Sequence, residues 1–473
     1  MSMEPSVAAE MPLSGPPPAA PLLDPVKSQR LLSLDVLRGM TIAGMILVNN
    51  PGTWNATYAP LRHAPWDGWT PTDLVFPFFL FMVGVAMTLS FDRRLAAGAS
   101  RGGMLGHVAA RSLVLILLGL VLTGIPNFRL ITPFILAIAG LQLVTRKPDA
   151  DSRVWTPAGW GALAAGVLWW LVDFRYFNGP TARSAFGDFF PLQPGGKTPI
   201  RIPGVLQRIG LCYLFASMIA LNTRVVGRAI WAAILMLGYW LVMKFVNAPA
   251  GYAIGNGAAG IHVDAPAGAP FAGVLNDWID VRLLGQHLYS HRPDPEGLLS
   301  TIPAIATVLI GTLAGTWILR PDQSRGWKAV GLVAGGVVLV MLGQIWNVWF
   351  PINKKIWTSS YVLHAGGLGS LLLALCYWLC DILNIRRWAI PFAILGTNAI
   401  VAFFGSGLMA RLMGMIKLGE PGKETSVKGF LYLFYESSFE SPKNESLAWA
   451  LSFVTLWVLM LWPLYRKRIF IRV

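Results

Sequence analysis

Long apolar stretches separated by short polar segments run through this chain from about residue 33 to residue 465. A helix needs about 20 mostly apolar residues to cross a bilayer. Twelve stretches approach this length; the fourth is short and the fifth is rich in Gly and Ala, so either could be re-entrant. They are 33–50, 72–91, 107–125, 130–145, 156–174, 203–221, 229–247, 298–319, 327–346, 357–380, 389–410 and 447–465. The pattern predicts an all-α, polytopic membrane protein with eleven or twelve transmembrane helices.

The composition supports this prediction. Of the 473 residues, 55% are hydrophobic and 13% are charged, and the mean hydropathy is +0.55. A soluble domain carries about 25% charged residues. The 20 tryptophans are typical of a protein whose amphipathic rings lie at the lipid–water boundary. A soluble fold is therefore excluded.

The distribution of charge predicts an orientation. The net charge is +15, and Lys and Arg are densest in the segments that are cytoplasmic when the N-terminus is inside, which is the bias that orients membrane proteins. Residues 1–29, rich in Pro and Ala, are predicted to be a disordered cytoplasmic tail, and residues 30–473 a single transmembrane domain. The loops 51–71, 248–297 and 411–446 then face outward. No basic face with interleaved aromatic residues indicates nucleic-acid binding.

Several common kinds of site are not expected. Cys212, Cys376 and Cys380 all lie inside apolar segments, which indicates neither a disulfide framework nor a zinc site. No GxGxxG or GxxxxGK[ST] pattern opens a helix, so dinucleotide and P-loop chemistry are not supported. No metal is expected either, because the His, Asp and Glu residues of 277–296 lack HExxH-type spacing and are interrupted by prolines.

The first apolar segment, SLDVLRGMTIAGMILVNN, contains charges that do not suit a simple lipid anchor. Asp35 and Arg38 are spaced i, i+3 and can pair on one helix face, and Asn49 lies at the outer end. Charges in spanning segments are costly and usually face a bundle interior or a polar cavity. A structural ion pair and a polar site are both consistent with this spacing.

The following loop, RHAPWDGWTPTD, contains candidate catalytic residues. His63 lies four residues before Asp67, with Trp66 between them. An imidazole can act as a general base or a nucleophile at neutral pH, and a nearby carboxylate would set its tautomer. The alternative is an interfacial histidine among membrane-belt tryptophans. Asp73 is expected to cap the second helix.

Two further segments place polar groups at helix ends. RIPGVLQRIGLCYL contains Gln207 and Arg208, and the run from 276 to 305 contains Asp280, His287 and Glu296. A protein with so many ionisable groups at its centre is either a transporter or a membrane-embedded enzyme, and the spacing alone does not distinguish the two.

Several of these segments, in order, resemble the transmembrane acetyltransferase family of heparan-α-glucosaminide N-acetyltransferase, including its bacterial branch associated with N-acetylglucosamine use. The matching blocks extend from about residue 30 to the end. They are SLDVLRGM, HAPWDGWTPTDLVFPFFLFMVG, RIPGVLQRIGLCYL, DPEGLLSTIPAI, PINKKIWTSSYVL, GTNAIV and YRKRIF.

The resemblance implies transfer of acetyl from cytosolic acetyl-CoA, across the membrane, to the amine of a glucosamine-type sugar. It places the catalytic histidine at His63 and an important asparagine at Asn49, and we add Asp67 as the partner of His63. It also implies a multi-pass protein of the bacterial inner membrane and a homodimer. Because the loop 248–297 differs from the lysosomal members, a free amino sugar or a cell-wall fragment is expected rather than heparan.

Two groups of binding residues are expected on this basis. The phosphates of acetyl-CoA should meet cations, so we expect Arg38, Arg208 with its neighbour Gln207, Lys467 and Arg468 to bind the donor. The residues expected to bind the acceptor are Asp35, Trp66, Asp280, His287 and Glu296.

Three alternatives stay open from the sequence. His63 could deprotonate the amine within a ternary complex, or it could first accept the acetyl group itself. The protein could instead be an inner-membrane transporter of N-acetylglucosamine or related sugars. It could also be an O-acyltransferase of envelope polysaccharide, with a hydroxyl in place of the amine.

Overall fold

A computed structural model describes residues 31–125, 127–145, 152–177, 200–257, 261–285, 287–420, 422–436 and 438–471. The predicted tail 1–29 lies outside these residues. The helices within them are α1 (Leu32–Asn49), α2 (Pro71–Ala96), α3 (Arg101–Gly124), α4 (Phe128–Val144), α5 (Ser152–Phe177), α6 (Val205–Asn222), α7 (Val225–Phe245), α8 (Val274–Leu284), α9 (Leu298–Leu319), α10 (Arg325–Trp346), α11 (Ser359–Tyr377), α12 (Ile390–Thr397), α13 (Ala399–Met415), α14 (Val427–Tyr432) and α15 (Pro442–Arg466).

The predicted fold class is confirmed: the chain is an all-α, polytopic membrane protein. Among the described residues, nine helices are long and apolar enough to cross a membrane, and a bent pair would make ten. This count is lower than the predicted eleven or twelve. Helices α4 and α5 occupy the fourth and fifth predicted spans, but the apolar part of α4 covers only Ile131–Val144 and α5 is not among the nine.

Four short strands accompany the helices. Strands β1 (His262–Val263) and β2 (His291–Arg292) pair in parallel, with His262 opposite His291. Strands β3 (Lys417–Leu418) and β4 (Thr425–Ser426) pair antiparallel. The first pair folds the loop between α7 and α9 back on itself.

Helix α9 lies at the centre of the bundle. It packs against α2, α6, α7 and α11, and 72% of its apolar window is buried, compared with 17% for α7 and 22% for α10. The exposed apolar side chains of α7 and α10 are those expected to face lipid, since lipid tails are as apolar as the side chains themselves. The N-terminus of α9 is therefore a buried position where polar groups need partners.

The predicted span 389–410 is broken. Helices α12 and α13 meet at Asn398 with a bend of 74°, because the Asn398 backbone leaves the helical region at φ −123° and ψ 44°. Its side chain binds the end of the chain instead: Nδ2 donates to the Ile469 carbonyl at 3.1 Å, and the Ile471 amide donates to Oδ1 at 2.9 Å. A non-helical segment at this depth is tolerated where protein satisfies its polar groups.

Helix α12 packs very closely on α1. A Cβ at Gly39 would overlap the Phe392 carbonyl oxygen, and a Cβ at Gly396 would overlap the Asp35 carbonyl oxygen. Small residues of this kind let two helix backbones approach within a membrane. The close approach also brings Arg38 to the Gly396 carbonyl, to which it donates at 3.3 Å.

Candidate active site

His63 and Asp73 form a hydrogen-bonded pair at the start of α2. Thr70 is the N-cap, Pro71 the first helical residue, and Asp73 completes a capping box, which is the arrangement that TPTD favours. His63 Nδ1 lies 2.6 Å from Asp73 Oδ1. Asp73 therefore caps the helix, as predicted, and also binds the imidazole.

The second oxygen of Asp73 is held by three donors. Oδ2 accepts from the Ala64 amide at 2.9 Å, the Thr70 amide at 3.0 Å and the Thr70 hydroxyl at 3.1 Å. The Asp73 side chain is 2% exposed. These contacts fix the carboxylate, so that Oδ1 is directed at His63.

His63 is positioned to present its other nitrogen to a substrate. Its side chain is 48% exposed, and within the described part of the chain no hydrogen bond involves Nε2. A carboxylate at Nδ1 favours the tautomer in which Nδ1 carries the proton and Nε2 carries a lone pair. That lone pair can accept a proton or attack a carbonyl carbon.

Asp67 does not contact His63 as the sequence suggested. Its Oδ1 instead accepts from Asn353 Nδ2 at 3.2 Å, and Trp66 beside it is buried among Tyr239, Phe350 and Ile356. A separation of four residues brings side chains together on a helix, but residues 62–70 are not helical. The carboxylate that orients His63 is therefore Asp73.

Lys354 joins this pair to a second polar cluster. It is partly buried and within electrostatic range of both Asp73 and Glu296. Removal of its ammonium from water lowers the pKa of Lys354, and the two carboxylates oppose this effect only in part. Lys354 is a cation that the sequence analysis did not select.

Glu296 belongs to a buried ion cluster centred on Arg201. The guanidinium donates to Asp294 Oδ2 at 3.1 Å and Oδ1 at 2.5 Å, and to Glu296 Oε2 at 2.5 Å. Although burial acts in the opposite direction, Arg201 and the amides of Tyr289 and Glu296 lower the pKa of Asp294. Bidentate geometry of this kind is the strongest form of an ion pair.

Arg208 is almost completely buried, at 1% exposure. One terminal nitrogen donates to the Gly297 carbonyl at 2.9 Å and to the Ser300 hydroxyl at 2.5 Å. Its Nε and its other terminal nitrogen have no hydrogen-bond partner within the described residues, and the same is true of Gln207 Nε2. The Arg208 guanidinium also lies over the Trp357 ring at 5.1 Å, and Tyr361, which packs against that ring, donates its hydroxyl to the Asp73 carbonyl. Unpaired N–H groups at such a depth are costly, which favours a ligand here.

Asp280 faces the N-terminus of α9. Its Oδ1 accepts from the Leu298 amide at 2.8 Å, whereas Oδ2 has no partner within the described part of the chain and abuts Gly297, where a Cβ would overlap it. Burial, together with the nearby charge of Asp294, raises the pKa of Asp280 to about 8. The side chain is therefore a neutral carboxylic acid at pH 7.

This burial predicts a pH dependence of stability. The unfolded Asp280 ionises near pH 4 and the folded one near 8, so the folded protein holds an extra proton between these values. Its free energy of unfolding falls as pH rises through that window, by about 1.4 kcal/mol per pH unit. Asp280→Asn keeps a carbonyl for the Leu298 amide and cannot ionise. We expect the melting temperature in detergent to fall less between pH 5.5 and 7.5 in this variant than in the wild type. Equal slopes would contradict the assignment.

His287 has a structural position. Its Nδ1 lies 2.8 Å from the Ile200 carbonyl, and its own carbonyl accepts from the Ile202 amide at 2.9 Å. These two contacts tie the segment before α6 to the segment before α9. His287 therefore connects the backbone on both sides of Arg201 to the loop that contains Asp294 and Glu296.

Two curated proteins are similar to this chain over nearly its whole length. Heparan-alpha-glucosaminide N-acetyltransferase of Homo sapiens is 27% identical over 93% of the chain, and that of Mus musculus is 25% identical over 94%. These matches support membership of the heparan-alpha-glucosaminide N-acetyltransferase family. The chain spans 59% and 60% of the length of these two relatives. No family model matches the chain.

The chain has a second group of cations at the end of the bundle opposite to His63. Arg38 lies 3.4 Å from Asp35 Oδ1 and also binds Gly396. Lys467 and Arg468 follow α15, just before the residues that Asn398 holds. The predicted donor-binding residues are therefore divided: Arg208 and Gln207 lie at the end with His63, and Arg38, Lys467 and Arg468 at the other.

The predicted acceptor residues are divided as well. Trp66, Asp280, His287 and Glu296 lie at the His63 end, whereas Asp35 pairs with Arg38 at the other end and is not brought to the acceptor cluster. Asn49 ends α1 with an exposed side chain, and no hydrogen bond of that side chain is found within the described residues. Its amide is therefore available to a substrate.

Sequence reasoning missed Asp73 as the partner of His63, and it missed Lys354 and the Arg201–Asp294 pair. The signal for Asp73 was present, because a capping aspartate has a second oxygen that the helix does not use. The other two depend on contacts between residues that are 58 or more positions apart in the chain. Among the described residues, no group of three or more His, Cys, Asp or Glu side chains could hold a metal ion.

Proposed function

We propose that this chain is a transmembrane N-acetyltransferase that transfers acetyl from acetyl-CoA to the amine of a glucosamine-type sugar. The names of its two relatives support the reaction class. The observation that carries the proposal is the His63–Asp73 pair, which leaves one imidazole nitrogen free at an exposed position.

The proposed chemistry uses that free nitrogen as a base. The sugar amine attacks the thioester carbonyl, so that a C–N bond forms and the C–S bond breaks. His63 Nε2 takes a proton from the amine and returns it to the departing CoA thiolate. Asp73 stabilises the imidazolium that exists between these steps. If Nε2 attacks the thioester first, the same pair supports an acetyl-imidazole intermediate instead.

The negative charge that develops on the carbonyl oxygen needs hydrogen-bond donors. We assign this role to Asn49, the asparagine that the resemblance marks as important, because its side chain is available at the end of α1. The unpaired N–H groups of Arg208 favour a contact with the acetyl-bearing part of the donor, because Arg208 lies at the same end as His63. Arg38, Lys467 and Arg468 are then proposed to bind the nucleotide phosphates from the other end.

The proposed placement is the inner membrane of a bacterium, with the N-terminus cytoplasmic and His63 on the outer side. The denser Lys and Arg residues of the inner segments support this orientation. With this arrangement the donor enters from the cytoplasm, where Arg38 and Lys467 lie, and its thioester extends toward His63. We also propose a homodimer, on the resemblance alone.

The test is acetyl transfer by the purified full chain in nanodiscs, supplied with acetyl-CoA and glucosamine. We expect CoA release that depends on the amino sugar, with N-acetylglucosamine as the product. If acetyl-CoA is not consumed and does not shift the melting temperature, the enzyme proposal is wrong and a sugar transporter takes its place. Transfer to a hydroxyl with no transfer to an amine would indicate the O-acyltransferase.

A further inference from the structure

Four flat side chains form a continuous stack beside the candidate active site. The Arg201 guanidinium lies 4.5 Å from the Tyr289 ring centroid. The Tyr289 and His291 rings are 5.3 Å apart, and the His291 and His262 rings are 4.9 Å apart at an angle of 23°. We call Tyr289, His291 and His262 the ring ladder. Its members come from both sides of the β1–β2 pairing.

Backbone pairing holds the ladder in place. The His262 amide donates to the Ser290 carbonyl at 2.9 Å, and the Asp264 amide donates to the Arg292 carbonyl at 2.8 Å. Asp264 Oδ1 also lies 3.0 Å from His291 Nδ1, which fixes the orientation of that ring. The ladder is therefore preorganised, which lowers the entropic cost of binding a ligand.

The ladder is accessible and has free polar atoms. Tyr289 is 41% exposed and the His291 side chain 45%. The Tyr289 hydroxyl, His291 Nε2 and the ring nitrogens of His262 make no hydrogen bond within the described part of the chain. Within the stack Arg201 and His291 cover Tyr289, and Tyr289 and His262 cover His291, so the ring face left for a ligand is the outer face of His262. A sugar ring suits this end of the stack, because its C–H face can pack on His262 while its hydroxyls bind the free donors and acceptors along the ring edges.

Two consecutive lysines connect the ladder to His63. Lys355 Nζ lies 3.2 Å from Asp264 Oδ2 and donates to the Pro65 carbonyl at 2.8 Å, two residues after His63. Lys354 is within electrostatic range of Asp73 and of Glu296, and Glu296 binds the Arg201 that stacks on Tyr289. The ladder therefore lies along the rim of the same site.

The charges around the ladder are balanced. The four cations Arg201, Lys354, Lys355 and Arg411 stand against four carboxylates that they contact or lie within electrostatic range of, which are Asp73, Asp264, Asp294 and Glu296. These side chains therefore leave no excess of positive charge to attract a sulfated or carboxylated sugar. The stack accordingly favours an uncharged ring.

We propose that the ring ladder binds the second, uncharged sugar ring of an oligosaccharide acceptor, while the terminal amino sugar lies at His63. This inference rests on the proposed function, and it names a longer acceptor for the same site. The preferred substrate is then a neutral glycan fragment of at least two rings.

The experiment compares three acceptors with the full chain in nanodiscs: glucosamine, a β-linked disaccharide with a terminal glucosamine and an N-acetylglucosamine ring, and its O-sulfated counterpart. We measure kcat/KM for transfer and, without acetyl-CoA, the Kd by calorimetry. The neutral disaccharide should exceed glucosamine by about tenfold in both measurements, the range that one aromatic contact supplies. His262→Ala should remove most of this preference, and the matched variant His262→Phe, which keeps a ring, should retain it.

Each outcome decides the proposal. Equal values for the disaccharide and glucosamine, or a preference that His262→Ala does not change, would overturn the proposal that the ring ladder binds a second sugar. Transfer to glucosamine would still support the proposed enzyme in that case. A preference for the sulfated sugar would overturn the choice of an uncharged ring. A binding preference that depends on His262, in a protein that transfers no acetyl, would support the ladder and reject the enzyme.

Discussion

Replacing His63 by alanine should lower kcat for acetyl transfer by about 10²- to 10⁴-fold, the range expected when a general acid–base group is lost. The amine then has no positioned base, because Nε2 is the free nitrogen that the Asp73 hydrogen bond leaves available. The side chain is half exposed, and Asp73 keeps the donors to its other oxygen when the contact with His63 is lost, so the variant should fold. CoA release and melting temperature, measured on the same preparation in nanodiscs, check both statements.

A second histidine provides the matched control. His107 is also exposed and lies near the start of α3, outside the candidate site. Its Nε2 is 3.1 Å from Nη2 of Arg94, at the end of α2. His107→Ala should keep kcat within about twofold of the wild type, as is usual for surface substitutions. A His63→Ala protein that melts normally and transfers acetyl at the wild-type rate would remove His63 from the mechanism.

Asp73→Asn should lower kcat by about 10²-fold or more, because it should reverse the imidazole tautomer. Three donors, from Ala64 and Thr70, surround Oδ2, so the amide oxygen of the asparagine takes that position. Its NH₂ group then faces His63 Nδ1 and donates to it. The imidazole proton moves to Nε2, which loses its lone pair; the equivalent change in a serine protease costs about 10⁴-fold.

Asp67→Asn tests the alternative partner that the sequence suggested. Asp67 binds Asn353 rather than His63, so we expect a change in kcat of less than about fivefold, which is small beside the loss of a general base. The double variant His63→Ala, Asp73→Asn should be no slower than His63→Ala alone, because two residues that act as a unit are not additive. A large loss from Asp67→Asn with little from Asp73→Asn would reverse the assignment.

The polar residues at the helix ends could be found from the sequence, but their partners could not. His63 was selected because the resemblance places the catalytic histidine of the family there, whereas the local pattern left an interfacial histidine among tryptophans as the alternative. The TPTD pattern indicated that Asp73 caps α2, and this local role gave no indication that the same side chain also binds His63. Lys354 and Arg201 act through Glu296 and Asp294, which lie in other loops.

The division of the predicted donor residues depends on the path of the chain through the membrane. Arg38, Arg208 and Lys467 look alike in the sequence, since each is a cation near the end of an apolar segment. Only the packing of α12 on α1 and of α6 on α9 shows that they lie at two ends of the bundle.

The sequence by itself determined that the chain crosses a membrane as an all-α bundle. Unpaired backbone groups are costly in lipid, so an apolar stretch long enough to cross the bilayer is expected to form a helix. It also showed that most of the ionisable candidate residues lie in the loops and at the helix ends. The tertiary structure alone decided that Asp73 orients His63, that Asn398 breaks a predicted span, and that the ring ladder borders the site. These features depend on hydrogen bonds and ring contacts between residues that are distant in the chain, and local hydrophobic pattern carries no information about them.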